Sequence, residues 1–146
     1  MPGKSKATWK NQFFLSESAS DFHNSIRDIF CTDSYFKQIQ CFQEVPVVYL
    51  VNNYDSNQEA VDWYIESYNL VIELHGNQHY KATGFGNMSY SEKQVSFNNI
   101  RYRDNKKKTE LINANYNYLE IPYKLKDKLN ADFLKQLIYE SIENNE

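Results

Sequence analysis

No run of 18 apolar residues occurs anywhere in the 146-residue chain, so no segment reads as a membrane-spanning helix. Glycine and proline are scarce, at four and three copies, which argues against long disordered linkers. Only two cysteines are present, Cys31 and Cys41. Their spacing fits no zinc pattern, and one thiol pair makes a poor disulfide framework. Both read as small core or near-surface residues in a reducing compartment, so a cytoplasmic location is expected. Residues 1–10 are polar and basic with no apolar stretch, and do not read as a signal peptide. An excess of positive charge is missing too. The formal net charge is −3, which does not by itself advertise a nucleic-acid binder, because phosphate neutralisation needs Lys and Arg.

What is present is an ordinary globular balance with many aromatics. Twelve Tyr and nine Phe allow a core built largely from rings. The length suits one domain, expected over residues 16–146 behind an N-terminal tail, 1–15. The basic residues are clustered. Arg101, Arg103, Lys106, Lys107 and Lys108 form one group, and Lys124, Lys126 and Lys128 a second. A bound cation would add positive charge that the residue count omits.

Apolar periodicity divides the chain. Phe22, Ile26, Ile29 and Phe30 recur at helical spacing and predict a helix over 17–30, with Ser16 as its cap. Residues 42–51 read as a strand bent near Pro46. Turn residues at 52–57 lead to a strand over 60–65, a tight turn at 66–69 and a strand over 70–75. Alternation puts Leu70, Ile72 and Leu74 on one face of that strand, and Val71, Glu73 and His75 on the other. A loop over 80–90, a basic helix over 91–113, a strand over 118–122 and a helix over 131–142 complete the chain. The order is α-β-β-β-α-β-α. Three successive strands suggest a meander, and a fourth arriving after a crossover helix should run parallel to its neighbour. The expectation is an α/β fold: a mixed central sheet of about four strands flanked by helices.

The chemistry concentrates in residues 61–80, VDWYIESYNLVIELHGNQHY. Asp62 lies on one strand and Glu73 with His75 on the next. Taken singly, such acids are usually solvated. Glu73, however, is set in an apolar strand where an unpaired carboxylate is costly. If the strands pair, Asp62 and Glu73 converge into a hard oxygen site suited to Mg²⁺ or Mn²⁺. His75 and His79, on either side of Gly76, are imidazoles able to move protons near neutral pH. Trp63 reads as core and His23 as structural. Tyr90, Tyr102 and Phe85 could stack on bases, although most aromatics here should be core.

This segment resembles the core of the PD-(D/E)XK nuclease superfamily. The likeness is to the branch of very-short-patch repair endonucleases and phage-associated EDxHD homing endonucleases. Asp62 matches the PD aspartate, with Val61 in place of proline. Glu73 matches the (D/E), His75 stands where lysine would be, and His79 matches a histidine shortly after the glycine. Downstream, Arg103-Asp104-Asn105-Lys106-Lys107, an Asn-bearing turn and Ile121-Pro122-Tyr123 are similar to the homing-type pattern. The resemblance, over about residues 36–129, implies a restriction-endonuclease-like fold and Mg²⁺- or Mn²⁺-dependent hydrolysis of DNA phosphodiesters. Catalysis would fall to Asp62, Glu73, His75, His79 and Asp104, with Asp62 and Glu73 holding the metal. Arg101, Arg103, Lys106, Lys107 and Lys108 would meet DNA, and Lys107 could instead support the site. The family's acid on the first helix has no clear counterpart among Glu17, Asp21 and Asp28.

The implied enzyme is a homing-type, mobile-element or phage endonuclease, a nickase being one form that the resemblance allows. Mismatch repair and restriction lie within the same chemistry, and a homodimer would suit a double-strand cut. The competing expectation is a non-catalytic module that binds DNA or protein on a nuclease fold, favoured by the negative net charge.

Overall fold

A computed structural model describes residues 21–56, 58–75 and 89–143, apart from the side chains of Tyr90, Ser96 and Phe97. Helix α1 (Asp21–Thr32) and a short α2 (Ser34–Gln38) precede strand β1 (Cys41–Pro46). Strands β2 (Ala60–Ile65) and β3 (Leu70–His75) follow, then helix α3 (Tyr90–Asn113), strand β4 (Asn117–Pro122) and helix α4 (Ala131–Glu143). No helix among the described residues is long and apolar enough to cross a membrane.

The four strands form one mixed sheet in chain order. β1–β2 and β2–β3 are antiparallel and β3–β4 is parallel. The expected α/β meander with a parallel fourth strand is therefore present. Its faces divide as the alternation of β3 requires. Leu70, Ile72 and Leu74 join Trp63 and buried residues of α1, α2 and α4, including Phe22, Ile26, Phe30, Phe36, Leu134 and Ile138. Val71 lies in a second core with Tyr64, Val47, Leu50, Val51, Tyr54 and Leu111 of α3. Trp63 is core, as expected, and Cys31 and Cys41 are unpaired.

Three local features depart from the sequence reading. α2 was not expected, because five residues are too few to show a period. It forms because the Asp33 side chain accepts the backbone N–H groups of Tyr35 and Phe36 at 3.0 and 3.3 Å. The strand expected over 42–51 stops at Pro46, and Val47–Tyr49 is a 3₁₀ turn. Proline cannot donate to a ladder, and the next donor, Val47 N–H, reaches Glu59 O at 2.9 Å before the chain turns away. A further 3₁₀ stretch, Tyr123–Lys128, links β4 to α4. The first residues of the helix expected over 17–30, the 1–15 tail and the 80–88 part of the expected loop lie outside the described residues.

The β2–β3 turn sets the register that matters below. Asn69 takes a left-handed conformation (φ 49°, ψ 45°), which asparagine tolerates better than most residues. Its side-chain amide donates to Asn115 O at 2.9 Å, and its carbonyl accepts Asn117 N–H at 2.9 Å. One residue thereby closes the turn and ties it to the start of β4. Asn69→Ala is expected to cost about 1–2 kcal/mol, and Asn69→Gly, which keeps the backbone freedom, less. Urea unfolding of the two variants checks the order.

Helix α3 is long, yet Leu111 is its only fully buried residue among those described. Ser89 caps it, accepting Glu92 N–H at 3.2 Å and donating to Glu92 Oε1 at 3.1 Å. A helix this polar is held by other than apolar burial. Its lysines supply part of the attachment.

Candidate functional site

The antiparallel register of β2 and β3 pairs Trp63 with Ile72. One step further along, Asp62 stands opposite Glu73. The two strands exchange side-chain contacts there. Leu74 N–H donates to Asp62 Oδ2 at 2.7 Å, and Asp62 N–H donates to Glu73 Oε2 at 3.4 Å. Each carboxylate is thus fixed by backbone of the opposite strand. Glu73 is only 4% exposed and is the one buried charged residue among those described.

The row continues to both sides. In parallel register Glu73 is paired with Glu120 of β4. On β1, Gln43 pairs with Trp63 and Val45 with Val61, so Glu44 between them stands opposite Asp62. Glu44 has a φ of 57°, rare for a residue with a long side chain. The pairings on either side keep the same offset, so the strand kinks there without inserting a residue. Glu44, Asp62, Glu73 and Glu120 therefore form a line of acids, one per strand.

Helix α3 lays cations over this line. Glu73 Oε1 is buried. It meets Lys107 Nζ as an ion pair at 2.5 Å. Lys107 also donates to Ala60 O at 3.1 Å. Lys108 Nζ lies 2.8 Å from Glu120 Oε1, and His75 Nδ1 lies 3.9 Å from Glu120 Oε2. Lys106 turns elsewhere. It pairs with Asp55 and sits 5.5 Å from the centre of the Tyr54 ring. Three consecutive lysines go to three different acids because successive helical residues point about 100° apart.

Crowded carboxylates shift one another's acidity. Burial pushes Glu73 upward, the adjacent Asp62 adds to this and Lys107 opposes it. The result is a carboxyl pushed up to about 8. Asp62 is also raised, first by burial, against the lowering effect of its hydrogen bonds and of Lys107. The pair shares charge as a unit. Burial alone would lower Lys107, but Glu73 and then Asp62 outweigh it and hold the ammonium above the usual lysine range. Glu44 is raised by partial enclosure of its carboxylate, although the residue as a whole is exposed; His23 lowers it, and Glu73 raises it further. Burial, then the charges of Glu73 and Glu120, push the Tyr118 hydroxyl up as well.

The expected site residues are thus distributed as follows. Asp62 and Glu73 are together, with His75 on the same face one diagonal away. Asp104 is half-buried one turn before Lys107 and acts electrostatically on both Lys107 and Tyr118. Lys107 and Lys108 face the acids. Arg101 and Arg103 are exposed. Tyr102 is 70% exposed. His79, Gly76 and Phe85 lie outside the described residues, as does Glu17. Asp21 and Asp28 are both exposed, and Asp28 pairs with Arg27.

The sequence reading missed Glu44 and Glu120 as members of the row. Glu120 carried a signal. It lies in Leu119-Glu120-Ile121 as Glu73 lies in Ile72-Glu73-Leu74, two acids in matching apolar frames. His23, read as structural, contributes its charge to Glu44.

Two adjacent hard carboxylates suit Mg²⁺, which binds through one or two carboxylates and keeps several waters, although Lys107 already meets one oxygen of Glu73. Among the described residues, no three His, Cys, Asp or Glu groups converge to form a full protein cage. No family model, curated protein or solved structure matches this chain.

Proposed function

We propose that the chain is a divalent-metal-dependent DNA endonuclease, built on a PD-(D/E)XK-type core and of the homing or mobile-element kind. The observation that carries this reading is the Asp62–Glu73 pair, Glu73 buried and Asp62 half-buried, backbone-fixed across β2 and β3 and met by Lys107. It stands within the segment, 61–80, whose order of Asp, Glu, His and His resembles that branch. The strand order with a parallel fourth strand is compatible with the same core.

In this reading Asp62 and Glu73 hold Mg²⁺ or Mn²⁺, which when bound polarises a phosphodiester and acidifies a water. The chain's own groups do the rest. Leu74 N–H aims the Asp62 carboxylate. Lys107 balances the negative charge of the pair in the free protein and is within reach of an incoming phosphate oxygen through its flexible stem. His75 and His79 take and return protons at the attacking water and the leaving oxygen. Asp104 lowers the cost of keeping Lys107 charged. Arg101 and Arg103, on the exposed side of α3, meet the DNA backbone and fix its position without reading sequence. One copy of such a site nicks one strand, and cutting both would take two copies.

A second reading is a non-catalytic binding module. The Lys107–Glu73 ion pair favours it, since an ammonium already neutralises the buried acid. Metal binding separates the two. For the nuclease, Mg²⁺ or Mn²⁺ raises the melting temperature through binding to the native state. The protein then converts supercoiled plasmid to relaxed or linear forms, chelator stops it and His79→Ala slows it. An unshifted melting temperature and intact plasmid would establish the binding module instead.

A further inference from the structure

Helix α3 carries two opposite lines of residues. Ile100, Asp104, Lys107 and Leu111 form the inner line and are half-buried or buried. On the outer side Val95, Asn98, Tyr102, Asn105, Thr109 and Ile112 are all exposed. Their spacing alternates between three and four residues without a break, the heptad spacing of a helix that packs along another helix. Five large hydrophobic side chains stand exposed among the described residues, and three of them are on this line: Val95 at 58%, Tyr102 at 70% and Ile112 at 46%. Scattered exposed apolar residues are ordinary, but three on one stripe of one helix mark a contact surface. The line contains no charged residue. Lys106 and Lys108 flank it, and each is met by an acid of its own chain, Asp55 and Glu120. These cations therefore offer little repulsion to an identical surface.

We propose that this line docks a second copy of the chain, two α3 helices packing antiparallel about a two-fold axis between positions 103 and 104. The stripe is self-complementary under that reversal. Val95 faces the partner's Ile112, Asn98 the partner's Thr109 and Tyr102 the partner's Asn105. Apolar meets apolar at both ends, polar meets polar inside them, and the largest side chain meets a small one at the centre. Parallel packing would instead set Tyr102 against its own copy and align the two helix dipoles rather than oppose them. The contact is isologous and closes at two copies. Its size sets its strength. From 95 to 112 the line runs about 26 Å on a helix about 10 Å wide, a footprint of roughly 300 Å². A standard interface takes about 800 Å² from each partner, so this dimer is of the weak, transient class, with a Kd of about 10–100 µM. Arg101 and Arg103 lie beside the line and not in it. The dimer does not depend on the nuclease reading.

The test is sedimentation equilibrium of the full chain without metal or DNA, across about 5–500 µM, a range that brackets the expected Kd. The weight-average mass of wild type should climb from 17.3 kDa toward twice that value. Val95→Glu and Ile112→Lys, made separately, should each stay monomeric across the range, because each sets a charge against an apolar partner. Mixed one to one, the two variants should dimerise again. Antiparallel packing brings the new glutamate of one copy against the new lysine of the other and leaves the native Val95–Ile112 contact at the far end. Recovery in the mixture also shows that both variants are folded. A wild type that is monomeric throughout overturns the proposal, as does a dimer indifferent to both substitutions. A dimer that each variant breaks but the mixture does not restore overturns the antiparallel register. If wild type is monomeric and Val95→Glu abolishes its retention of plasmid on a gel, the face belongs to DNA and not to a second copy. If wild type dimerises as expected but cuts no DNA, the nuclease reading fails while the dimer stands.

Discussion

Replacing Lys107 with methionine is expected to destabilise the protein by about 3–5 kcal/mol near pH 10, where Glu73 is ionised in the wild type, the usual cost of stranding one member of a buried ion pair. The methylene stem is retained, so the loss comes from charge rather than packing. Glu73 Oε1 is buried, and Lys107 is the cation that balances it. The loss should shrink at lower pH, and the direction follows from Glu73. Burial and Asp62 lift its carboxyl from 4.5 to about 8, with Lys107 pulling against them. Between those values the native state keeps a proton that the unfolded chain has lost. The protonated form therefore stabilises the fold fully below about 4.5, and that contribution is lost as pH rises through 8. Removing Lys107 raises the folded value further and extends the penalty to higher pH. At pH 5 Glu73 is already neutral in the native state, and the missing ammonium costs little. Urea titrations should place the midpoint of Lys107→Met roughly 1.5–2.5 M below wild type near pH 10 and close to it at pH 5. Adding Glu73→Gln should recover most of the loss, since the stranded charge is gone. Equal losses at both pH values, or none, would show that the pair does not carry this charge balance.

How far the sequence could lead to this site depends on the range of the interactions involved. β2 and β3 were legible to the residue because both are short, largely apolar runs and a four-residue turn joins them. A turn that short leaves few registers, and the one adopted puts Asp62 across from Glu73. The faces of β3 followed from strand alternation. Glu44 and Glu120 were invisible as partners because their register depends on segments far apart in sequence. Glu120 reaches Glu73 only after the α3 crossover, and Glu44 reaches Asp62 only after the chain has left β1 through the Val47–Tyr49 turn. The lysines illustrate the limit of composition. A run of Lys106, Lys107 and Lys108 reads as a solvated basic face, yet each is paired with an acid from a different segment. A local pattern can mark α3 as polar. It cannot say that the sheet beneath carries acids that make a polar underside favourable.

The same row predicts a variant whose stability and activity move in opposite directions. Asp62→Asn preserves the shape of the side chain, and its amide oxygen can still accept Leu74 N–H in the place of Oδ2. What it removes is one of two adjacent, enclosed negative charges sharing a single ammonium. Burial and the neighbouring charges lift both carboxyls, so the native state bears a cost that the unfolded chain does not. Relieving it should raise stability by about 1 kcal/mol or more at pH 8, with a smaller gain at pH 5, where Glu73 is already protonated. Cleavage should fall by at least about 100-fold, the scale on which a single preorganised charge contributes to catalysis, and the metal-dependent rise in melting temperature should shrink with it. A purely structural pair would behave differently, because Asp62→Asn would then alter stability without touching metal response or plasmid nicking. A variant that is less stable than wild type would count against the charge crowding itself. Greater stability with lost metal response and lost cleavage is the combination that a site held in readiness for a cation requires: its free form retains a repulsion that binding relieves.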